Sequence, residues 1–259
     1  MNSILLEIKN GVAIITLNRP EVFNSFNREM AFKLHDVLDA CESNDDVRAI
    51  VLTGNGKAFC AGQDLKEVTS PELNPGFKKI LEEHYNPIIT RLRSIKKPII
   101  GAINGVAAGA GANIALACDI VVAHEKVSFI QAFSLIGLVP DSGGTFFLPR
   151  LIGFQKALAL AMLGDKISAE EAEKMGMIYK VLPLESFEEE VNQLASKLAS
   201  MPTKALGMIK ELFNNSMTND LEAQLALESK LQIEAAQTDD YLEGVTAFVE
   251  KRKPEFKGR

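Results

Sequence analysis

Apolar and polar residues alternate through residues 4–17, and Asn10-Gly11 interrupts the alternation between Ile8 and Val12. A period of two marks half-buried strands, and Asn-Gly suits the left-handed backbone of a tight hairpin turn, so this stretch predicts two strands and a turn. A polar loop, Asn18-Arg19-Pro20-Glu21, follows, and then the period changes. Met30, Leu34, Val37, Leu38 and Cys41 fall on one side of a helix over 27–42. Val47 to Thr53 is a continuous apolar, β-rich run and predicts a buried strand. A helix near 77–95, the strand Ile99–Ile103 entered through Lys97-Pro98, a small-residue helix near 109–117 and the strand Asp119–Ala123 continue the series. Strands alternating with helices predict an α/β layered domain. No exact internal repeat is visible.

Further on, Ser168-Ala169-Glu170-Glu171 is a capping box that opens a short helix, which Gly176 ends. After Val181-Leu182 the pattern becomes helix upon helix from about 185 to 252, with breaks at Met201-Pro202 and Thr218-Asn219-Asp220. Leu221, Leu225, Leu227 and Leu231 leave an apolar stripe that needs a covering surface. These features place a boundary near 195. Residues 1–195 form the core, and 196–259 form a helical region expected to pack on it and on a neighbouring subunit.

Composition narrows the class. A chain of 259 residues buries a substantial core. No apolar run approaches the roughly 20 residues a membrane span needs, and the first residues lack the pattern of a signal peptide. Three cysteines without a CxxC pair argue for a reducing, cytoplasmic setting with neither structural zinc nor a disulfide framework. With 28 Lys and Arg against 34 Asp and Glu the formal charge is −6, so the overall field does not favour nucleic acid. The tail Lys251–Arg259 is locally basic, either a solvated terminus or a small phosphate-binding patch.

Candidate chemistry concentrates in three segments. Residues 54–65 follow one predicted strand and 104–113 another, both rich in glycine and alanine. Ligands of open α/β folds sit at the carboxyl ends of strands, and small residues there let a ligand reach backbone N–H groups. The second segment runs into a helix, whose N-terminus favours negative charge. Each loop by itself also fits tight helix–strand packing; together they fit two amides facing one developing oxyanion. The third segment contains Pro140-Asp141-Ser142-Gly143-Gly144, where Asp141 serves either as a turn or N-cap residue or as a carboxylate whose pKa an apolar setting raises. His35, His84 and His124 read as structural or solvated. There is no GxSxG elbow, HExxH or paired Cys and His.

Ordered landmarks run through nearly the whole chain: Leu17-Asn18-Arg19-Pro20, Ala58-Phe59-Cys60-Ala61-Gly62-Gln63-Asp64-Leu65, Lys97-Pro98-Ile99-Ile100, Asn104-Gly105-Val106-Ala107, Cys118-Asp119-Ile120, Gly137-Leu138-Val139-Pro140, Gly143-Gly144-Thr145 and Leu148-Pro149-Arg150. In these the chain resembles the crotonase, or enoyl-CoA hydratase/isomerase, superfamily. The resemblance implies a spiral of ββα units with a helical C-terminal region used in trimerisation, assembly as a trimer or a dimer of trimers, and a CoA thioester substrate that brings its own coenzyme, with no metal or further cofactor. It assigns the oxyanion-hole amides to Gln63 and Ala110 and the single acid/base to Asp141. Substrate and CoA contacts are expected from Arg19, Val22, Phe23, Ala61, Asp64, Leu65, Ala108, Gly109 and Phe133, with Phe256 and Lys257 reaching the nucleotide from the C-terminus. Hydratases of the family carry two glutamates where this chain has Asn113 and Phe133, which argues against water addition. Asn24-Ser25-Phe26-Asn27, Tyr85-Asn86-Pro87 and Ala132-Phe133-Ser134 are similar to family members that isomerise a ring-epoxide thioester of phenylacetate. The alternatives are a Δ3,Δ2-enoyl-CoA isomerase and a non-catalytic scaffold or RNA-binding relative.

Overall fold

The computed structural model describes residues 2–259. Strands β1 (Ile4–Lys9) and β2 (Val12–Leu17) form the expected hairpin, and four further strands join them in one sheet: β3 (Ala49–Gly54), β5 (Ile99–Ile103), β7 (Ile120–His124) and β10 (Lys180–Leu182). The order is β1-β2-β3-β5-β7-β10, and every pairing after the hairpin is parallel. Both faces are covered, which explains why β3 and β5 read as unbroken apolar runs. Ile50, Leu52, Ile99 and Ile103 enter the larger core beneath the helices, while Ala49, Val51, Ile100 and Ala102 enter a second core under the helix Phe187–Ala199.

A second sheet escapes the sequence pattern. Strands β4 (Ala58–Cys60), β6 (Val106–Ala108) and β8 (Ser128–Ile130) pair in parallel, and β9 (Lys166–Ser168) closes the set antiparallel. Strands β4, β6 and β8 each follow a long strand and precede a helical turn or helix, which gives the ββα unit. Two of these three-residue strands lie inside segments expected to be loops; three residues of Ala, Val, Phe and Cys are too short to show a period. The consequence matters for the site, because the two glycine-rich segments are stapled to one another by β4–β6 pairing.

The helix expected over 77–95 is interrupted by a π-helical turn, Ile80–Tyr85, between Phe77–Lys79 and Asn86–Ser94. At the far end, the helix Phe187–Ala199 continues through 195 and places Val191, Ala195 and Leu198 on the sheet, so the change of architecture falls at the Met201-Pro202 break. The leucine stripe also divides. Leu231 is buried within the chain, whereas Leu221 and Leu225 remain exposed alongside Ile233, Leu242, Phe248 and Val249. None of the helices among the described residues is long and apolar enough to cross a membrane.

Candidate active site

The loop after β4 and the helix Ala110–Leu116 meet backbone to backbone. Phe26 and Gln63 form an isolated parallel bridge: the Phe26 amide donates to the Gly62 carbonyl at 2.7 Å and the Asp64 amide to the Phe26 carbonyl at 2.8 Å. Those bonds turn the Gln63 amide to the other side, where it has no hydrogen-bond partner among the described residues. Ala110 is the first residue of its helix, so its amide likewise lacks an acceptor within the helix. The segments are in close approach, since a Cβ built on Gly62 would lie 3.2 Å from the Ala108 carbonyl oxygen and 3.6 Å from the Ala110 nitrogen. Two free backbone N–H groups on neighbouring segments can donate hydrogen bonds to an anionic oxygen.

The Gln63 side chain is held at both ends. The Tyr85 hydroxyl donates to Gln63 Oε1 at 3.0 Å, Gln63 Nε2 donates to Glu67 Oε2 at 2.7 Å, and Glu67 Oε1 accepts from the Arg28 amide at 2.8 Å. Tyr85 is fully buried at the end of the π-helical turn, a deformation common at functional sites. Burial pushes its phenol well above the ordinary value, which keeps it a neutral donor. Sequence reasoning missed this brace; the one available signal was the i, i+4 spacing of Gln63 and Glu67. Tyr85→Phe leaves Gln63 Oε1 without its donor and is expected to lower stability by about 1–3 kcal/mol. Urea denaturation of the two proteins measures this directly.

Asp141 lies in a half-buried turn between the exposed segment Leu135–Val139 and the helix Gly144–Ile152. Burial pushes its carboxyl above the usual carboxylate range, partly offset by a 2.8 Å hydrogen bond from the Ser142 hydroxyl. Its backbone carbonyl accepts from Asn113 Nδ2 at 2.9 Å, which joins the turn to the helix that begins at Ala110. Phe133 is buried and reaches the same helix end, its Cζ 3.8 Å from a Cβ built on Gly109. Ala108 and Gly109 are partly exposed beside Ala110. Cys60, next to the loop, is pushed up to about 12 by burial and stays a thiol at neutral pH, so it is no nucleophile.

The expected CoA residues fall into three groups. Phe23, Ala61 and Leu65 are exposed and joined through the Ala61 amide, which donates to the Phe23 carbonyl at 3.0 Å, with Val22 half-buried beside them. Arg19 and Asp64 satisfy each other instead: Arg19 Nη2 meets Asp64 Oδ2 at 2.7 Å and Nη1 donates to the Ser25 carbonyl, while Asp64 Oδ1 caps the Leu65 helix. Phe256 and Lys257 do not join the site within one chain. The Phe256 carbonyl accepts from Arg48 Nη1 and the Lys257 amide donates to Asp240. Arg48 precedes β3, whose opposite end leads to the Gln63 loop, and six residues of strand separate the two ends by about 16–20 Å.

The histidines are structural. His35 Nε2 bonds the His84 carbonyl, His124 Nε2 bonds the Asn104 carbonyl, and all three rings are buried.

A family model described as Enoyl-CoA hydratase/isomerase matches residues 7–259. The chain is 47% identical over 263 residues to the 1,2-epoxyphenylacetyl-CoA isomerase of Escherichia coli (strain K12), covering 100% of both sequences. It is 46% identical to a probable enoyl-CoA hydratase of Rhodobacter capsulatus, covering 100% of this chain and 99% of the other. Among solved structures, an enoyl-CoA hydratase/isomerase from Mycobacterium abscessus superposes with a TM-score of 0.93 at 38% identity, over 99% of this chain and 100% of that one.

Proposed function

This chain belongs to the enoyl-CoA hydratase/isomerase family, and on that footing we propose that it isomerises 1,2-epoxyphenylacetyl-CoA to the oxepin thioester with Asp141 as its single base. The carrying observation is a carboxylate with a raised pKa in a turn that Asn113 joins to the Ala110 helix, whose first turn Phe133 also approaches; the family resemblance puts the glutamates of hydratases at Asn113 and Phe133.

The reaction runs as a proton shift. The thioester oxygen accepts hydrogen bonds from the Gln63 and Ala110 amides, and these strengthen as the oxygen gains enolate charge. Asp141 takes the acidified proton from the carbon next to the carbonyl. The electron pair left behind forms a double bond to the ring, the carbon–carbon bond shared by epoxide and ring breaks while both carbon–oxygen bonds stay, giving the seven-membered ether, and Asp141 returns the proton to a ring carbon. No proton is consumed and no cofactor beyond the substrate's own CoA takes part. Burial supports the role, because a carboxyl with a raised pKa is a stronger base once ionised. A hydratase would need a second acid/base, and neither an amide nor a phenyl ring supplies one. The exposed apolar residues Leu221, Leu225, Phe248 and Val249 support assembly into trimers, in which Phe256 and Lys257 would serve a neighbour's nucleotide.

Purified protein is to be given the epoxide thioester, a 3-enoyl-CoA and a 2-enoyl-CoA separately, with mass and ultraviolet detection. The expected result is a product of unchanged mass from the epoxide thioester. A 2-enoyl-CoA that gains one water at a comparable rate would refute the single-base isomerase.

A further inference from the structure

The Asp141 turn is strained and is held from outside. Ser142 has φ +50° and Gly143 φ +74°, two successive left-handed residues. A non-glycine residue keeps that conformation where its surroundings over-determine it. Two donors converge on the Asp141 carbonyl: the Gly144 amide from within the turn and Asn113 Nδ2 from the facing helix, both at 2.9 Å. Asn113 is fully buried, and its Oδ1 accepts from Gln131 Nε2 at 2.7 Å. Gly144 admits this arrangement, because a Cβ there would collide with the Asn113 amide group.

One backbone carbonyl fixes the polarity of the whole chain of amides. A carbonyl oxygen accepts only, so the Asn113 atom facing Asp141 is the nitrogen. Its oxygen then faces Gln131, whose facing atom is again the nitrogen. Gln131 Oε1 is left buried with no partner among the described residues. An amide oriented at that cost is retained for what its other end does.

We propose that Asn113, oriented by Gln131, is the positioning residue of the Asp141 base, pinning its turn to the helix that begins with the Ala110 amide. Base and oxyanion donor then belong to one rigid unit. The inference rests on Asp141 being the base. The pH dependence that follows is governed by few groups: the carboxyl meets the Ser142 hydroxyl, and the titratable side chain that feels its charge is Tyr85, which stays neutral.

The test uses Asn113→Leu, Gln131→Leu and the double variant, assayed as full-length protein for kcat, KM, pH profile and melting temperature. Asn113→Leu is expected to lower kcat about 10²-fold with little change in KM, the loss that a misplacement of about 1 Å brings. Its acid limb should move down toward an ordinary carboxylate, because the loosened turn admits water. Gln131→Leu should lower kcat about tenfold with little change in melting temperature, since it removes the unpaired Gln131 Oε1 but leaves Asn113 Oδ1 without its donor. The double variant should resemble Asn113→Leu alone, as members of one chain are not additive. A folded Asn113→Leu with unchanged kcat and unchanged acid limb would overturn the proposal, as would fully additive losses. Failure here is separable from failure of the base assignment: an active Asp141→Asn enzyme sinks the base, whereas an inactive one beside a fully active Asn113→Leu sinks only the positioning role.

Discussion

Asp141→Asn is expected to abolish most turnover, by about 10²–10⁴-fold, while leaving the affinity for the CoA thioester near that of the unaltered protein. The two side chains have nearly the same shape, and Asn keeps an acceptor for the Ser142 hydroxyl, which lies 2.8 Å from Asp141 Oδ1. What disappears is the ability to take and return a proton. With the ionised Asp141 as the proposed base, kcat of the unaltered protein should fall as pH drops through the raised Asp141 pKa, so its acid limb is expected above the ordinary carboxylate range. A steady-state pH profile locates that limb. Near-normal turnover by a folded Asp141→Asn protein would mean another group moves the proton.

The same shift gives a stability prediction of opposite sign. Burial is the larger cause and favours the protonated carboxyl in the folded state, so the folded pKa lies above the unfolded one. Below the unfolded value both states are protonated and nothing is lost. As pH rises through the interval between them, ionisation costs the folded state more than the unfolded, and the penalty is complete above the folded pKa. Asp141→Asn removes that penalty and should raise the melting temperature at neutral pH, with the gain vanishing toward acid. A catalytic group that destabilises its own fold is the usual trade between activity and stability.

Much of the fold was legible because its main sheet obeys strong rules. The Asn10-Gly11 hairpin, the helix capped by Asn27 and the apolar runs of β3 and β5 all appear where periodicity and turn chemistry put them. The short strands β4, β6 and β8 were not legible, because three residues carry no period and their pairing comes from the strands before them. The Gln63 and Ala110 segments were visible as glycine-rich breaks at strand ends, and Asp141 as a carboxylate in an apolar, glycine-rich stretch, yet their apposition is tertiary. Tyr85 entered only as part of the Tyr85-Asn86-Pro87 resemblance and Gln131 not at all, since a buried phenol or amide looks like core or surface until its partner is known. Phe256 and Lys257 show the converse: their basic, aromatic composition was visible, but hydrogen bonds to Arg48 and Asp240 hold them at the wrong end of β3 within one chain.

Gly62→Ala is expected to damage the oxyanion pair more than any change to the Gln63 side chain. Gly62 has φ +95°, a conformation that disfavours any Cβ, and a methyl group there would stand 3.2 Å from the Ala108 carbonyl oxygen and 3.6 Å from the Ala110 nitrogen. The carbonyl cannot yield easily, because β6 ties it to β4 and β8. The loop must shift instead, and the Gln63 amide shifts with it. Loss of one such donor costs about 10²–10³ in kcat. Gln63→Ala keeps its N–H and gives up only the brace to Tyr85 and Glu67, so its loss should be smaller. The loss in Gly62→Ala should fall on kcat rather than KM, since the donors bind the enolate oxygen more strongly than the ground-state carbonyl. A conjugated thioester bound without turnover reports the same event optically: its absorption shifts to the red when two donors polarise the carbonyl, and the shift should shrink in Gly62→Ala. A folded variant with the full red shift and undiminished kcat would show that the Gln63 amide does not hold the thioester oxygen.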